Sequence, residues 1–352
     1  MCKLLIFRGI NGEKNSRFLG IFRITSKILK METIGTQKEA LINELKGNLF
    51  EYLLALSLSQ IHKIETNFYK SFQGEIKEKL TSYEGFLLKN DPYLFRKLPA
   101  LAKEMALKVN EVLPQKVDNI LVVGKEAFRF NLKEADIVVV SGQRIIPLSI
   151  KLCKANSFVN TKSAGVKSFI KTYFYPFSRY QDWQRDLNVV VDLSFEKMAR
   201  GLHQIAGIRY QRGFTADWLN SGHPDLPGKL SEEMKNIVHN FYFEINSKIH
   251  QNFYEMEKES PKELVSCLFP LLGFGSKDII RATCYHKEKY STAKITISRA
   301  DLIENLALGP LKDGLSSFEI KFPGRILQIR VKPMNVFTTP AVKINCSTKD
   351  LV

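Results

Sequence analysis

Two short apolar runs joined by a tight turn constrain this chain more than any other feature of its sequence. Residues 134–156 read EADIVVVSGQRIIPLSIKLCKAN, with Ser-Gly-Gln between two β-branched runs. This pattern predicts a β-hairpin. Because side chains alternate along a strand, we expect Ser149 and Lys151 to share a face. Facing side chains on paired strands lie within contact distance, so Asp136 and Lys151 are expected to converge at one end of the hairpin.

The order of these residues resembles the signature of the PD-(D/E)XK nuclease superfamily: an acid, a β-hairpin, then acidic-x-Lys. Asp136 matches the first acid and Lys151 matches the final lysine. Ser149 stands where the family usually carries Asp or Glu, and a hydroxyl is a poor substitute for a charged ligand of a hard cation. The resemblance therefore implies that a second acid comes from elsewhere in the chain.

Glu51 is the best source of that second acid. It lies in the apolar middle of LKGNLFEYLLALSLSQIH, whose spacing predicts a long helix. A carboxylate there is costly unless it is paired, exposed or bound to a metal. Superfamily members often carry a Glu on the helix before the hairpin, and the resemblance gives Glu51 this role. Glu134, which shares strand parity with Asp136, is the alternative.

The resemblance implies a Mg²⁺-dependent hydrolysis of phosphodiester bonds. The metal ligands would be Asp136, Glu51 and the backbone carbonyl of Ile150, the last carried over from the family. Lys151 would orient or deprotonate the attacking water and offset developing charge. Ser149 completes the predicted catalytic set. The simpler alternative is a surface ion pair between Asp136 and Lys151, with Glu51 facing solvent.

Two further segments predict contacts with nucleic acid. The segment after the hairpin, KANSFVNTKSAGVKSF, combines lysines with small polar residues that donate hydrogen bonds to phosphate oxygens. Near the C-terminus, GRILQIRVKP alternates apolar and basic residues, which predicts a strand that presents cations to bases or phosphates. The predicted DNA-contacting residues are Lys154, Asn156, Asn160, Lys162, Lys167, Arg325, Arg330 and Lys332.

Together with KGNLFEYLLA, these segments resemble type II restriction endonucleases over most of residues 31–352. The resemblance implies a site-specific double-strand DNA endonuclease. It also implies a homodimer, because cutting both strands of a palindrome is economical with two-fold symmetry. A companion DNA methyltransferase acting on the same site would be a functional partner. Two alternatives stay open: an inactive nuclease-fold DNA-binding protein, suggested by Ser149, and a basic RNA-binding protein whose hairpin is ordinary core.

The charge balance agrees with a polyanionic partner. Lys and Arg number 52 against 36 Asp and Glu, a formal net charge of +16. Such a surplus favours association with nucleic acid. Membrane-surface binding would require a basic amphipathic helix, and none stands out. Five scattered cysteines and six histidines show no zinc-ligand spacing, and the N-terminus lacks a signal-peptide pattern, so we expect a cytoplasmic protein.

The order of helical and strand patterns predicts an α/β (α+β) fold. We expect a restriction-endonuclease-like central mixed sheet flanked by helices, with a helical insertion and a β-rich C-terminal part. Three regions are predicted: a basic extension over residues 1–30, which precedes a second potential start at Met31; a nuclease core over 31–275; and a β-rich subdomain over 276–352 with a role in DNA recognition.

Overall fold

A computed structural model describes residues 35–70, 74–123, 132, 135–275, 278–300, 305–334 and 336–351. The predicted N-terminal extension, Met31 and Glu134 lie outside these residues. Within them the chain is mixed α/β, with two sheets of five strands and helices packed against each. No helix of this described part is both long enough and apolar enough to cross a membrane.

The N-terminal part is helical, and it includes the long helix that the apolar spacing around Glu51 predicted. Asp91 begins the last long helix of this part as its N-cap: a carboxylate oxygen accepts the Leu94 N–H at 2.9 Å, and Pro92 occupies the first helical position. Both choices satisfy or remove amide groups that a helix start leaves unpaired. The helices are α1 (Gly35–Ile61), α2 (Glu65–Lys70), α3 (Gly74–Asn90) and α4 (Pro92–Asn110).

The first sheet is mixed and has the strand order β1-β2-β3-β5-β6. Its strands are β1 (Asn119–Val122), β2 (Ile137–Ser141), β3 (Arg144–Lys154), β5 (Ile280–His286) and β6 (Thr292–Ser298). All neighbours are antiparallel except β3 and β5, which are parallel. The apolar alternate residues of β2, β3 and β5 pack with α1, α3 and α4 in one buried cluster. The opposite face of β3 and β5 therefore carries their polar residues.

The second sheet is antiparallel and has the strand order β4-β10-β9-β8-β7. Its strands are β4 (Val159–Gly165), β7 (Ala307–Leu308), β8 (Ser317–Phe322), β9 (Arg325–Pro333) and β10 (Val342–Asp350). Its apolar face shares a second buried cluster with the helices that lie between β4 and β5 in the chain. These are α5 (Phe169–Tyr173), α6 (Tyr180–Ala206), α7 (Ala216–Asn220), α8 (Glu232–Glu259) and α9 (Pro261–Leu268).

The division of the strands differs from the predicted boundary between residues 275 and 276. β5 and β6 pair within the first sheet, whereas β4, from the predicted nuclease core, is an edge strand of the second sheet. The reason is long-range strand pairing. β5 pairs in parallel with β3 after a long crossover, and the pattern of residues within a β-rich segment does not reveal such a partner. The β-rich C-terminal segment therefore serves two sheets.

Candidate active site

The predicted hairpin forms, and its turn lies where the sequence placed it. Ser141 pairs with Arg144 across a two-residue loop, and Gly142 adopts a positive φ of 60°, which glycine accepts without strain. Regular pairing of β2 and β3 runs from this turn to Ile137 opposite Leu148. Asp136 lies immediately beyond that end, where the two strands separate.

One oxygen of Asp136 gathers three donors from β3. Oδ2 accepts the Ile150 N–H at 2.6 Å, the Lys151 ammonium at 3.1 Å and, more weakly, the Ser149 hydroxyl at 3.4 Å. The Ile150 N–H thus donates to a carboxylate at the point where regular pairing between β2 and β3 has ended. Oδ1 accepts no hydrogen bond from the residues that the structure describes. The side chains stay 20% (Asp136) and 30% (Lys151) exposed, so the pair is reachable from solvent.

Glu51, on α1, lies within electrostatic range of this pair. The pKa of Glu51 is raised to about 8, first by burial and then by the nearby Asp136 carboxylate, whereas the Lys151 ammonium opposes the shift. The three predicted side chains, Asp136, Lys151 and Glu51, therefore share one electrostatic site. Two carboxylates that repel each other are typical of a position prepared for a cation, and a strongly perturbed pKa is a marker of functional sites.

The donor set suits Mg²⁺. This ion is commonly held by one or two carboxylates, with substrate phosphate and water completing its octahedron. Asp136 contributes an unused oxygen and Glu51 a carboxyl that ionises more readily beside a cation. No cluster of three or more His, Cys, Asp or Glu side chains suited to a metal occurs among the described residues. A site of this kind would therefore need phosphate oxygens as further ligands.

The middle position of the motif is buried. Ser149 is only 2% exposed, and its Cα partner on the parallel strand β5 is Arg281. Lys151 lies opposite Thr283 in the same register. Since Ile280, Ala282 and Cys284 belong to the helix-facing core, Arg281 and Thr283 point to the polar face that carries Lys151. The alternation in DIIRATCYH predicts that Arg281 and Thr283 share one face of a strand, but it does not predict that this strand pairs with β3.

Arg281 and Arg325 form a buried cationic network behind this face. The Arg281 side chain is 1% exposed, donates from Nη1 to the Leu272 carbonyl at 2.5 Å, and has its pKa lowered to about 10, chiefly by burial and next by Arg325. Asp350 accepts from Arg325 Nε at 2.6 Å, from Thr296 at 2.7 Å and from Tyr285 at 2.9 Å. Sequence reasoning missed Asp350, which neutralises part of this charge.

Arg325 leaves the predicted DNA-contacting set as a consequence. Its guanidinium is 6% exposed, donates to the Ser298 hydroxyl at 2.7 Å and lies 5.4 Å from the Phe274 ring centroid. A guanidinium held inside the protein by a carboxylate cannot reach a duplex. Its position on β9 explains the difference, because the residue has the same strand parity as the apolar Leu327 and Ile329 and so faces inward.

The other predicted DNA-contacting residues lie at several places. Lys154 is exposed at the end of β3, 3.0 Å from Glu288, and Lys167 lies 2.5 Å from Asp192. Asn156 is exposed, with φ +64°, in the turn before β4. The remaining four lie on the second sheet: Asn160 and Lys162 on β4, and Arg330 and Lys332 on β9.

Comparisons with known proteins add no further information, since no protein-family model, curated protein or solved structure matches this chain. The inference of function therefore rests on the geometry of the described residues. Its main observation is the contact of Asp136 with Lys151 where the hairpin opens, within electrostatic range of Glu51 on α1.

Proposed function

We propose that this protein is a Mg²⁺-dependent DNA endonuclease that cuts double-stranded DNA at specific sites. The observation that carries the proposal is the Asp136 carboxylate, which binds Lys151 through one oxygen, keeps the other unused and lies within electrostatic range of the Glu51 carboxyl. Two acids and an amine around one solvent-reachable point are the groups that phosphodiester hydrolysis requires.

The roles follow from chemistry at this point. A bound Mg²⁺ would polarise a phosphate oxygen and make a coordinated water more acidic. Asp136 and Glu51 would hold the ion, with the Ile150 carbonyl as the family-derived third ligand. Lys151 would orient the attacking water and stabilise negative charge that develops on the phosphate. The Ile150 amide and Lys151 fix the Asp136 carboxylate, so this ligand is already oriented before substrate binds.

The fold is compatible with membership of the PD-(D/E)XK superfamily and, within it, of the type II restriction endonucleases. A central mixed sheet with helices against one face and an acid-hairpin-Lys arrangement at the opened end of the hairpin support this assignment. By the same analogy we propose a homodimer that reads a palindromic site and a companion methyltransferase that protects that site.

A second function, DNA binding without cleavage, is favoured by one observation. Ser149 occupies the slot that the family fills with an acid, and its buried hydroxyl is 3.4 Å from Asp136 rather than oriented by a closer contact. An inactive protein would have no need of a second carboxylate at this point. The raised pKa of Glu51 instead indicates that the chain bears the cost of burying one, which supports the active enzyme.

The test is incubation of the purified protein with a plasmid of known sequence in Mg²⁺, followed by sequencing of the fragment ends. We expect discrete fragments with a common end sequence. Lys151→Ala should slow their formation by about 10²–10³-fold, the typical cost of one charge-stabilising group. Duplex binding in Ca²⁺ with no cleavage in Mg²⁺ or Mn²⁺ would identify the inactive alternative. Failure to cut, together with a preference for RNA, would contradict both DNA functions.

A further inference from the structure

The outer face of the second sheet carries basic residues on three neighbouring strands. Strand register places Lys332 of β9 directly opposite Lys343 of β10, and Arg330 directly opposite Asn345. Farther along, Ile326 of β9 lies between two lysines on its neighbours. The basic sheet face consists of Lys321, Arg330, Lys332, Lys343 and Lys349.

This face points away from the core. Its residues alternate along β8, β9 and β10 with Ile320, Ile329 and Ile344, which are fully buried in the cluster shared with the helices. Lys321 and Arg330 are exposed, and the three other lysines are partly exposed. Polar side chains fill the positions between them: Ser163, Gln328, Asn345 and Ser347.

The charges on this face are uncompensated within the described part of the chain. None of the five cations forms an ion pair there, and the nearest acid in register, Glu319, is paired with Gln328 rather than with a lysine. Like charges placed directly opposite each other destabilise a sheet. The pKa of Lys332 is lowered by burial and then by Lys343 and Arg330, which shows that the three cations are close enough to repel. Folding alone does not account for such an arrangement.

We propose that the basic sheet face is a docking surface for the phosphate backbone of duplex DNA. The inference rests on the proposed function, which supplies duplex DNA as the substrate. Phosphate neutralises the repulsion between Lys332 and Lys343, and the polar side chains between the cations donate hydrogen bonds to phosphate and sugar oxygens. Contacts of this kind hold and orient the duplex without reading its sequence. The face therefore supplies affinity, and the site at Asp136 supplies chemistry.

The test measures binding of a short labelled DNA duplex as a function of salt in Ca²⁺. It uses the non-cleaving Asp136→Asn protein as background for two matched double variants. Lys332→Gln with Lys343→Gln neutralises the face. Lys103→Gln with Lys262→Gln removes the same charge from exposed lysines on α4 and α9, which form no ion pair among the described residues. Each variant is also measured for thermal stability.

The face variant should bind DNA at least about tenfold more weakly at low salt, equally for unrelated sequences. Its plot of log affinity against log salt should be less steep by about 1.8, because each phosphate contact contributes about 0.9 to the slope. Its melting temperature should rise, since a repulsive cross-strand pair is removed. The control pair should leave the slope unchanged.

Three results would overturn the proposal. Equal losses in the face and control variants would show that net charge alone governs binding, and unchanged binding by the face variant would remove the surface from the DNA path. Tighter binding to duplex RNA than to duplex DNA would assign the face to another ligand. Cleavage by the wild type in Mg²⁺ is scored separately, so loss of the docking surface and loss of the nuclease function are distinguished.

Discussion

Two ion pairs lie at the polar face of the first sheet, one buried and one partly exposed to solvent. Asp350 and Arg325 lie 2.6 Å apart with side chains 5% and 6% exposed, and both carboxylate oxygens of Asp350 accept hydrogen bonds. Asp136 and Lys151 lie 3.1 Å apart, are 20% and 30% exposed, and use a single carboxylate oxygen. In the first pair both carboxylate oxygens are used, whereas in the second pair one carboxylate oxygen remains for a ligand.

This difference is the one expected between an ion pair that stabilises the fold and an ion pair that takes part in a binding site. A buried charge is tolerated when it is paired and hydrogen-bonded, and Asp350 accepts hydrogen bonds from Arg325, Thr296 and Tyr285. Asp136 has a second carboxylate close by, Glu51, whose raised pKa records an unfavourable environment for negative charge. A bound divalent cation would attract both carboxylates and so favour the ionised form of Glu51. The contrast supports the proposal that the Asp136 pair serves binding, whereas the buried Asp350 pair serves folding.

The largest expected effect is loss of cleavage in Asp136→Asn. The amide preserves shape and an acceptor for the Ile150 N–H but removes the charge that a cation requires. Plasmid cleavage in Mg²⁺ should fall to background, while the circular dichroism spectrum and thermal midpoint stay near wild type. Cleavage at the wild-type rate would show that Asp136 holds no catalytic metal.

Asp350→Ala should have the complementary effect. Removing one partner leaves Arg325 and Arg281 as uncompensated buried guanidiniums, which should lower the unfolding free energy by about 3–5 kcal/mol. Denaturant titration measures this loss. Cleavage per folded molecule at low temperature should stay close to wild type, and selective loss of cleavage with full stability would invert the comparison.

A smaller effect concerns pH. Glu51 has a folded pKa of about 8 against an ordinary value of 4.5, so the folded state binds more protons than the unfolded chain between these values. This contribution makes stability fall as pH rises from 4.5 to 8. Glu51→Gln should flatten that dependence, measured by denaturant titration at a series of pH values without metal. An equally steep dependence in the variant would place the titrating group elsewhere.

Ser149→Ala should change least. The Ser149 hydroxyl contacts Asp136 at 3.4 Å, a distance at which a hydrogen bond contributes little. We expect a cleavage rate within about fivefold of wild type, equivalent to about 1 kcal/mol. If cleavage were abolished, the hydroxyl would be part of the metal site and Glu51 would not suffice as the second acid.

The local elements of this structure were predictable from the sequence. Period-two alternation and a Gly142 turn were enough for the hairpin, and helical spacing was enough for α1. Strand pairing between distant segments was not accessible, because register depends on tertiary packing. For that reason Arg325 was predicted to reach DNA although it faces the core, and Asp350 was missed as its partner.

The candidate site was predicted with the help of the resemblance, which supplied what spacing could not. Residue types and spacing alone placed Asp136 and Lys151 on one hairpin. Glu51 lies much earlier in the chain, on a helix whose position against the sheet cannot be predicted from any local pattern. The environment of the site was beyond sequence reasoning altogether. Burial of Ser149 and the raised pKa of Glu51 arise from packing of α1 and β5 around the hairpin.

Calorimetric titration of Mn²⁺ into the protein tests most directly whether Asp136 and Glu51 together hold a cation. Wild type, Asp136→Asn and Glu51→Gln are titrated with and without duplex DNA, below and above pH 8. The account predicts one site that is lost in Asp136→Asn and weakened in Glu51→Gln, with proton release on binding only below pH 8, where Glu51 is still protonated. Equal Mn²⁺ binding by all three proteins would contradict it.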